Sequence, residues 1–99
     1  MALASTISYQ RGSIVSRTLI NEKQATVTLF AFDEGSELSE HATPYQALLH
    51  VIEGEADVKI GGNENHLGAG DAIRLPPSVP HEVRASKRFK MILTMVRTK

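Results

Sequence analysis

The chain contains no cysteine among its 99 residues. Disulfide staples, thiolate metal sites and cysteine nucleophiles are therefore excluded, and the redox compartment is left open. Neither sign of charge is in excess: 11 basic and 11 acidic residues cancel. That removes the electrostatic case for a nucleic-acid or acidic-membrane partner, and low self-repulsion permits self-association. Nothing approaches the roughly 20 apolar residues of a membrane span. The opening from Met1 to Ile7 lacks the basic segment and continuous apolar stretch of a signal peptide. The expectation is a cytoplasmic protein with neither nucleic acid nor membrane as partner. Also missing are a phosphate-cradling glycine loop, a Gly-x-Ser-x-Gly elbow and a helical DNA-reading motif.

What is present is a series of short strand-like segments punctuated by turns, with no linker or repeat and no helical period. The length suits one domain around one core. Ser13 to Ile20 is rich in β-branched residues and ends at Asn21, Glu22 and Lys23. Ala25 to Phe32 is apolar on both faces, as is Ala47 to Ile52, which Glu53 and Gly54 are expected to stop. Glu55 to Ile60 alternates, with Ala56, Val58 and Ile60 on one face and Glu55, Asp57 and Lys59 on the other. Gly61, Gly62 and Asn63 tolerate positive φ and mark a hairpin. Short strands follow at His66 and Leu67, at Ala72 to Leu75 and at Pro80 to Ala85. Lys90 to Arg97 closes the chain. Eight or nine such strands point to an all-β antiparallel sandwich or barrel.

Two stretches carry histidine behind a fixed punctuation of glycine and proline. One runs from Gly35 through His41 to Gly54, the other from Gly70 through Pro76 to His81. Histidine is the commonest metal ligand and titrates near neutral pH. Together these stretches resemble the two motifs of the cupin superfamily: a glycine, five residues, His-x-His, then a glutamate and a later glycine; and a glycine, five residues, a proline and a following histidine. The resemblance covers the chain from about Ala25 onward. It implies a small antiparallel jelly-roll β-barrel spanning residues 1–99 as one domain, with residues 1–12 as an extended or flexible N-terminal arm.

The departures from that pattern matter equally. Thr43 stands where the family usually has its second histidine, Ala47 where it has the glutamate, Ser78 where glycine is common and Ala85 where asparagine is common. Such barrels usually hold a metal with three histidines and a glutamate, so only His41 and His81 carry over as ligands. A catalytic divalent ion (zinc, iron, manganese or nickel) generally wants three protein ligands and an open position. Gln46 is the weak third candidate, because strand alternation turns it away from the face of Ala47, Leu49 and Val51 unless a bulge intervenes. His50 meets the same objection, Glu40 and Glu82 flank the histidines on the wrong face, and His66 reads as a surface residue.

The expected ligand pocket lies inside the barrel. His41, Thr43 and His81 would sit near its rim, with Ala47, Leu49, Val51 and Val83 on its wall. Tyr45, Phe30, Phe32 and Phe89 read as core or interface residues before they read as stacking platforms. Asp71 reads as turn chemistry, and Arg74 and Arg84 as solvated or ion-paired. The apolar outer faces of Ala25 to Phe32 and Lys90 to Val96 need a cover, and a second copy in a homodimer is the economical one. Three functions follow as expectations: a binding or sensing module for a small organic ligand, a metal-dependent oxygenase or isomerase on a two-histidine site, or a dimeric scaffold. Fold alone does not separate them.

Overall fold

The computed structural model describes residues 1–97. A short helix, α1 (Leu3–Thr6), precedes eight strands: β1 (Ile14–Asn21), β2 (Ala25–Phe32), β3 (Glu37–His41), β4 (Gln46–Ile60), β5 (Asn63–Gly68), β6 (Ala72–Leu75), β7 (His81–Arg84) and β8 (Phe89–Val96). All strand pairs are antiparallel. One sheet runs β1-β2-β8-β4-β6 and the other β5-β4-β7-β3, so β4 belongs to both. The expected all-β barrel is what forms.

The sharing of β4 corrects one expectation. Glu53 and Gly54 do not stop a strand; they turn it. Residues 46–54 pair with β8, and residues 55–60 pair with β5. At the corner Gly54 has φ +79°, and a Cβ there would lie 2.3 Å from the Arg88 carbonyl oxygen and 2.9 Å from the Phe89 Cα. Only glycine allows both that conformation and that approach. A bulge between Val51 and Glu53 accompanies the turn. It shifts the pleat, so inward residues are odd before it (Ala47, Leu49, Val51) and even after it (Ala56, Val58), and all five are buried.

These inward residues meet Phe32, Leu75, Val83, Phe89 and Met91 in one core. The Phe32 and Phe89 rings stack at 4.5 Å between centroids. Phe30, Phe32 and Phe89 are thus core residues, as their type indicates.

The outer face of the first sheet carries a second apolar cluster of Ile7, Leu29 and Ala31, flanked by Tyr9, Val15, Leu19, Ile52 and Ile92. The N-terminal arm therefore covers part of this face within the same chain. Contacts of several kinds hold it there. The Lys90 ammonium donates to the Ala4 carbonyl, the Tyr9 hydroxyl donates to Glu53 Oε2 at 2.6 Å, and the Arg88 guanidinium lies 4.5 Å over the Tyr9 ring. Burial, followed by the Glu53 carboxylate, drives the Tyr9 pKa well up. The arm stops short of Leu48 and Val96, which remain 47% and 44% exposed.

Candidate functional site

His41 ends β3 and His81 opens β7, and the two are cross-strand partners. A regular strand would send Leu38 and His41, three residues apart, to opposite faces. A bulge between them adds one residue to β3, so Leu38 packs on the core while His41 turns toward His81. His41 and His81 are thereby brought to 3.1 Å between Nε2 atoms, with ring centroids 4.3 Å apart and ring planes at 70°. His81 is buried at 7% exposure while His41 is exposed.

Backbone carbonyls set the protons. The His41 Nδ1–H donates to the Ser39 carbonyl at 2.7 Å. His81 Nδ1 stands 3.3 Å from the Val79 carbonyl, a looser contact. A carbonyl only accepts, so both Nδ1 contacts are fully made when one proton is shared between the facing Nε2 atoms. Burial, with the neighbouring His41 adding to it, holds the His81 pKa below its ordinary 6.5. In the neutral pair one Nε2–H bridges to the other ring, and the looser Val79 contact is the one that relaxes. When it carries one proton between the two rings, the pair presents a positive charge to an anion.

The other expected participants stand apart. The Thr43 hydroxyl is occupied in its own turn, 3.3 Å from the Tyr45 amide. Ala47 is a buried methyl, and Gln46 lines an outer groove with Leu48, Arg74 and Thr94. Leu49, Val51 and Val83 are 0%, 0% and 1% exposed, which leaves no water-sized void against them. They are packed core, so the site is a rim and does not extend down the barrel axis. Among the described residues no three His, Cys, Asp or Glu side chains gather to hold a metal. Two imidazoles without a third donor do not fit a tightly held catalytic ion.

One pairing was missed from sequence. The His66 ring nitrogens donate to the carboxylates of Asp57 and Glu55, each at 2.8 Å. Those hydrogen bonds, Asp57 first, raise its pKa, and the contact to His66 lowers that of Asp57. The signal was available: the Gly61–Gly62 turn fixes the register in which Asp57 faces His66. Asp71 behaves as read, its carboxylate accepting from the Gly68 amide at 2.8 Å. Arg84 is paired with Glu64 at 2.8 Å.

The two-sheet all-β barrel agrees with the comparisons to known proteins. The sequence model of the cupin domain matches residues 28–97. This chain belongs to the cupin family. A conserved protein of unknown function from Streptococcus pyogenes is 26% identical, with a TM-score of 0.95 over 100% of this chain and 87% of that one. A cupin superfamily protein from Desulfitobacterium hafniense is 25% identical, with a TM-score of 0.93 over 97% and 88%. A cupin 2 conserved barrel domain protein from Leptotrichia buccalis is 33% identical, with a TM-score of 0.94; it matches 97% of this cupin, which spans 47% of its length. None of the curated proteins compared with the cupin matches it. No helix among its described residues is long and apolar enough to cross a membrane.

Proposed function

We propose that this cupin binds a small organic molecule at the barrel rim, and that the His41–His81 pair takes the ligand's polar group. The observation that carries this reading is the 3.1 Å contact of two Nε2 atoms, one ring buried and the other open to solvent. Such a pair is anchored by backbone at its far nitrogens and can exchange one proton with whatever docks on the exposed ring. The packed interior and the missing third donor favour binding over metal-assisted turnover.

The test is a panel of small phenols, alcohols and carboxylic acids, followed by the imidazole ¹⁵N signals of the metal-free protein. At least one class is expected to move the His41 and His81 signals together and to raise the melting temperature. His41→Ala should lose that response. A panel that moves neither ring, or an unchanged response in His41→Ala, overturns the reading.

Self-association belongs to the same proposal. The part of the first sheet's outer face left bare by the arm carries Leu48 and Val96, and the zero net charge offers no repulsion. Light scattering on the eluting peak should give a dimer mass, and Leu48→Lys should give a monomer. A monomeric wild-type protein at high concentration removes the dimer.

A further inference from the structure

The outer face of the second sheet carries its charges in cross-strand register. Glu37 on β3 is opposite Arg84 on β7, Arg84 is opposite Asp57 on β4, and Asp57 is opposite His66 on β5. In a neighbouring row Glu82, Lys59 and Glu64 follow one another across β7, β4 and β5. Acid and base therefore alternate along both rows. The Arg84 guanidinium also reaches Glu64 at 2.8 Å and Glu82 at 3.9 Å. Glu55 is paired with Gly68, which has no side chain to meet it, and its carboxylate leans onto the His66 ring. His66 thus ends the first row with a carboxylate on each ring nitrogen, Asp57 at Nδ1 and Glu55 at Nε2, both at 2.8 Å.

That geometry needs two protons on the ring. A carboxylate oxygen only accepts, so both contacts are made by the imidazolium alone. The other members of the two rows are carboxylates, a lysine and an arginine, which keep their charge near neutral pH. The strand that His66 ties is an edge, since β5 pairs with β4 and with no other described strand. Two further side-chain ties hold it: the Asn65 side-chain amide donates to the Val58 carbonyl at 3.3 Å, and Glu64 pairs with Arg84. Neither titrates in that range. Loss of one proton leaves His66 a single N–H. It stays on Asp57, which lies directly across the ladder and is further fixed by the Ser86 hydroxyl at 3.0 Å. The bare Nε2 then faces the Glu55 carboxylate, acceptor against acceptor, and the two separate.

We infer that His66 is a proton-operated clip on the edge strand β5, closed as the imidazolium between Asp57 and Glu55 and opened when the ring loses one proton. The hydrogen bonds to Asp57, then to Glu55, raise the ring's pKa above the ordinary 6.5. The clip is therefore closed below about pH 6.5 and opens as pH rises through that raised value. Release lets the hairpin beyond Gly61 and Gly62 fray more often, drawing Leu67 from the core that it joins. The clip is separate from the rim, since neither His41 nor His81 belongs to the two rows.

The test is native-state amide hydrogen exchange of the full chain beside His66→Gln, a variant that can donate to a carboxylate but does not titrate. The ratio of the two proteins at each pH cancels the intrinsic pH dependence of exchange. At about pH 6 the protected amides of β5 are expected to exchange about two- to fivefold more slowly in wild type, the range of an exposed ion pair. At about pH 8.5 the ratio should approach one. Amides of the β1 edge, which opens without breaking the clip, should match in the two proteins, and that match shows that the variant folds. In the ring ¹⁵N signals of wild type, His66 should carry two protons at the lower pH and one at the higher, with its midpoint above 6.5. Glu55→Gln should move that midpoint down. A midpoint at or below 6.5, or a β5 ratio that is the same at both pH values, overturns the clip. So do β5 amides that open only together with those of β8, because the strand then has no opening of its own.

Discussion

His41 and His81 stand 40 positions apart in the chain and 3.1 Å apart at their Nε2 atoms. One extra residue in β3 brings them together, and the buried partner is the one with the lowered pKa. This coupling of a bulge to a proton site underlies the predictions about the rim.

Stability should fall on mild acidification through His81. Its folded pKa lies below the ordinary 6.5, so the unfolded chain takes up this proton first. The contribution is fully present above about pH 6.5 and is lost as pH drops through the folded value. His66 works in the opposite sense: its raised pKa stabilises below 6.5 and fades as pH rises through the raised value. Urea denaturation of wild type and His81→Gln between pH 5 and 8 separates the two, because His66 is common to both. Wild type should lose stability relative to the variant as pH falls; a constant difference between them would sink the assignment.

Restoring the two absent ligands should create a metal site. Thr43→His with Ala47→Glu supplies a second histidine and a carboxylate on the face of β4 that Leu49 and Val51 share. Plasma mass spectrometry after incubation with Zn²⁺ or Ni²⁺ should find close to one ion per chain in the double variant and far less in wild type. Equal metal in both proteins would contradict the donor count.

Gly54→Ala should be strongly destabilising. A left-handed non-glycine residue costs about 1–2 kcal/mol, and an overpacked site costs about 1–3 more; the Cβ would meet backbone at 2.3 Å. A loss of roughly 2–5 kcal/mol is expected on that sum. A chemical-denaturation curve matching wild type would mean that the corner of β4 can relax.

Ser78→Gly should stabilise the protein. Ser78 holds φ +62°, the one non-glycine residue with positive φ among those described, and its amide donates to the Thr43 carbonyl at 2.7 Å. Relief of about 1–2 kcal/mol of strain, set against glycine's entropic cost of about 0.5–1, leaves a gain of up to about 1.5 kcal/mol. An unchanged or lower denaturation midpoint would show that the serine side chain contributes something the backbone does not reveal.

Much of this architecture was readable from local pattern. The alternation of Glu55 to Ile60 announced a half-exposed strand. The Gly61–Gly62 pair, with φ of +54° and +89°, announced its hairpin. The glycines and prolines around His41 and His81 pointed to the family and to the two rim residues. These features need only φ preference and the period of the pleat, both of which act within a few residues.

Other features could be settled only by packing between distant segments. The parity change between Val51 and Ala56 was visible, yet nothing local said whether the chain stopped or turned there; the approach of Arg88 and Phe89 to Gly54 decides it. The bulge that turns His41 toward His81 appears in the pairing of β3 with β7. The apolar outer face of β2 called for a cover, and the tertiary fold lays Ile7 and Tyr9 of the same chain over part of it. Likewise, Leu49, Val51 and Val83 are inward by pattern, but only the opposing Phe32, Phe89 and Met91 close the space they would have lined. The physical reason is common to all four. Period and turn chemistry are local energies written in neighbouring residues, whereas register, bulge position and cavity filling depend on pairings whose partners are brought together only when the barrel closes.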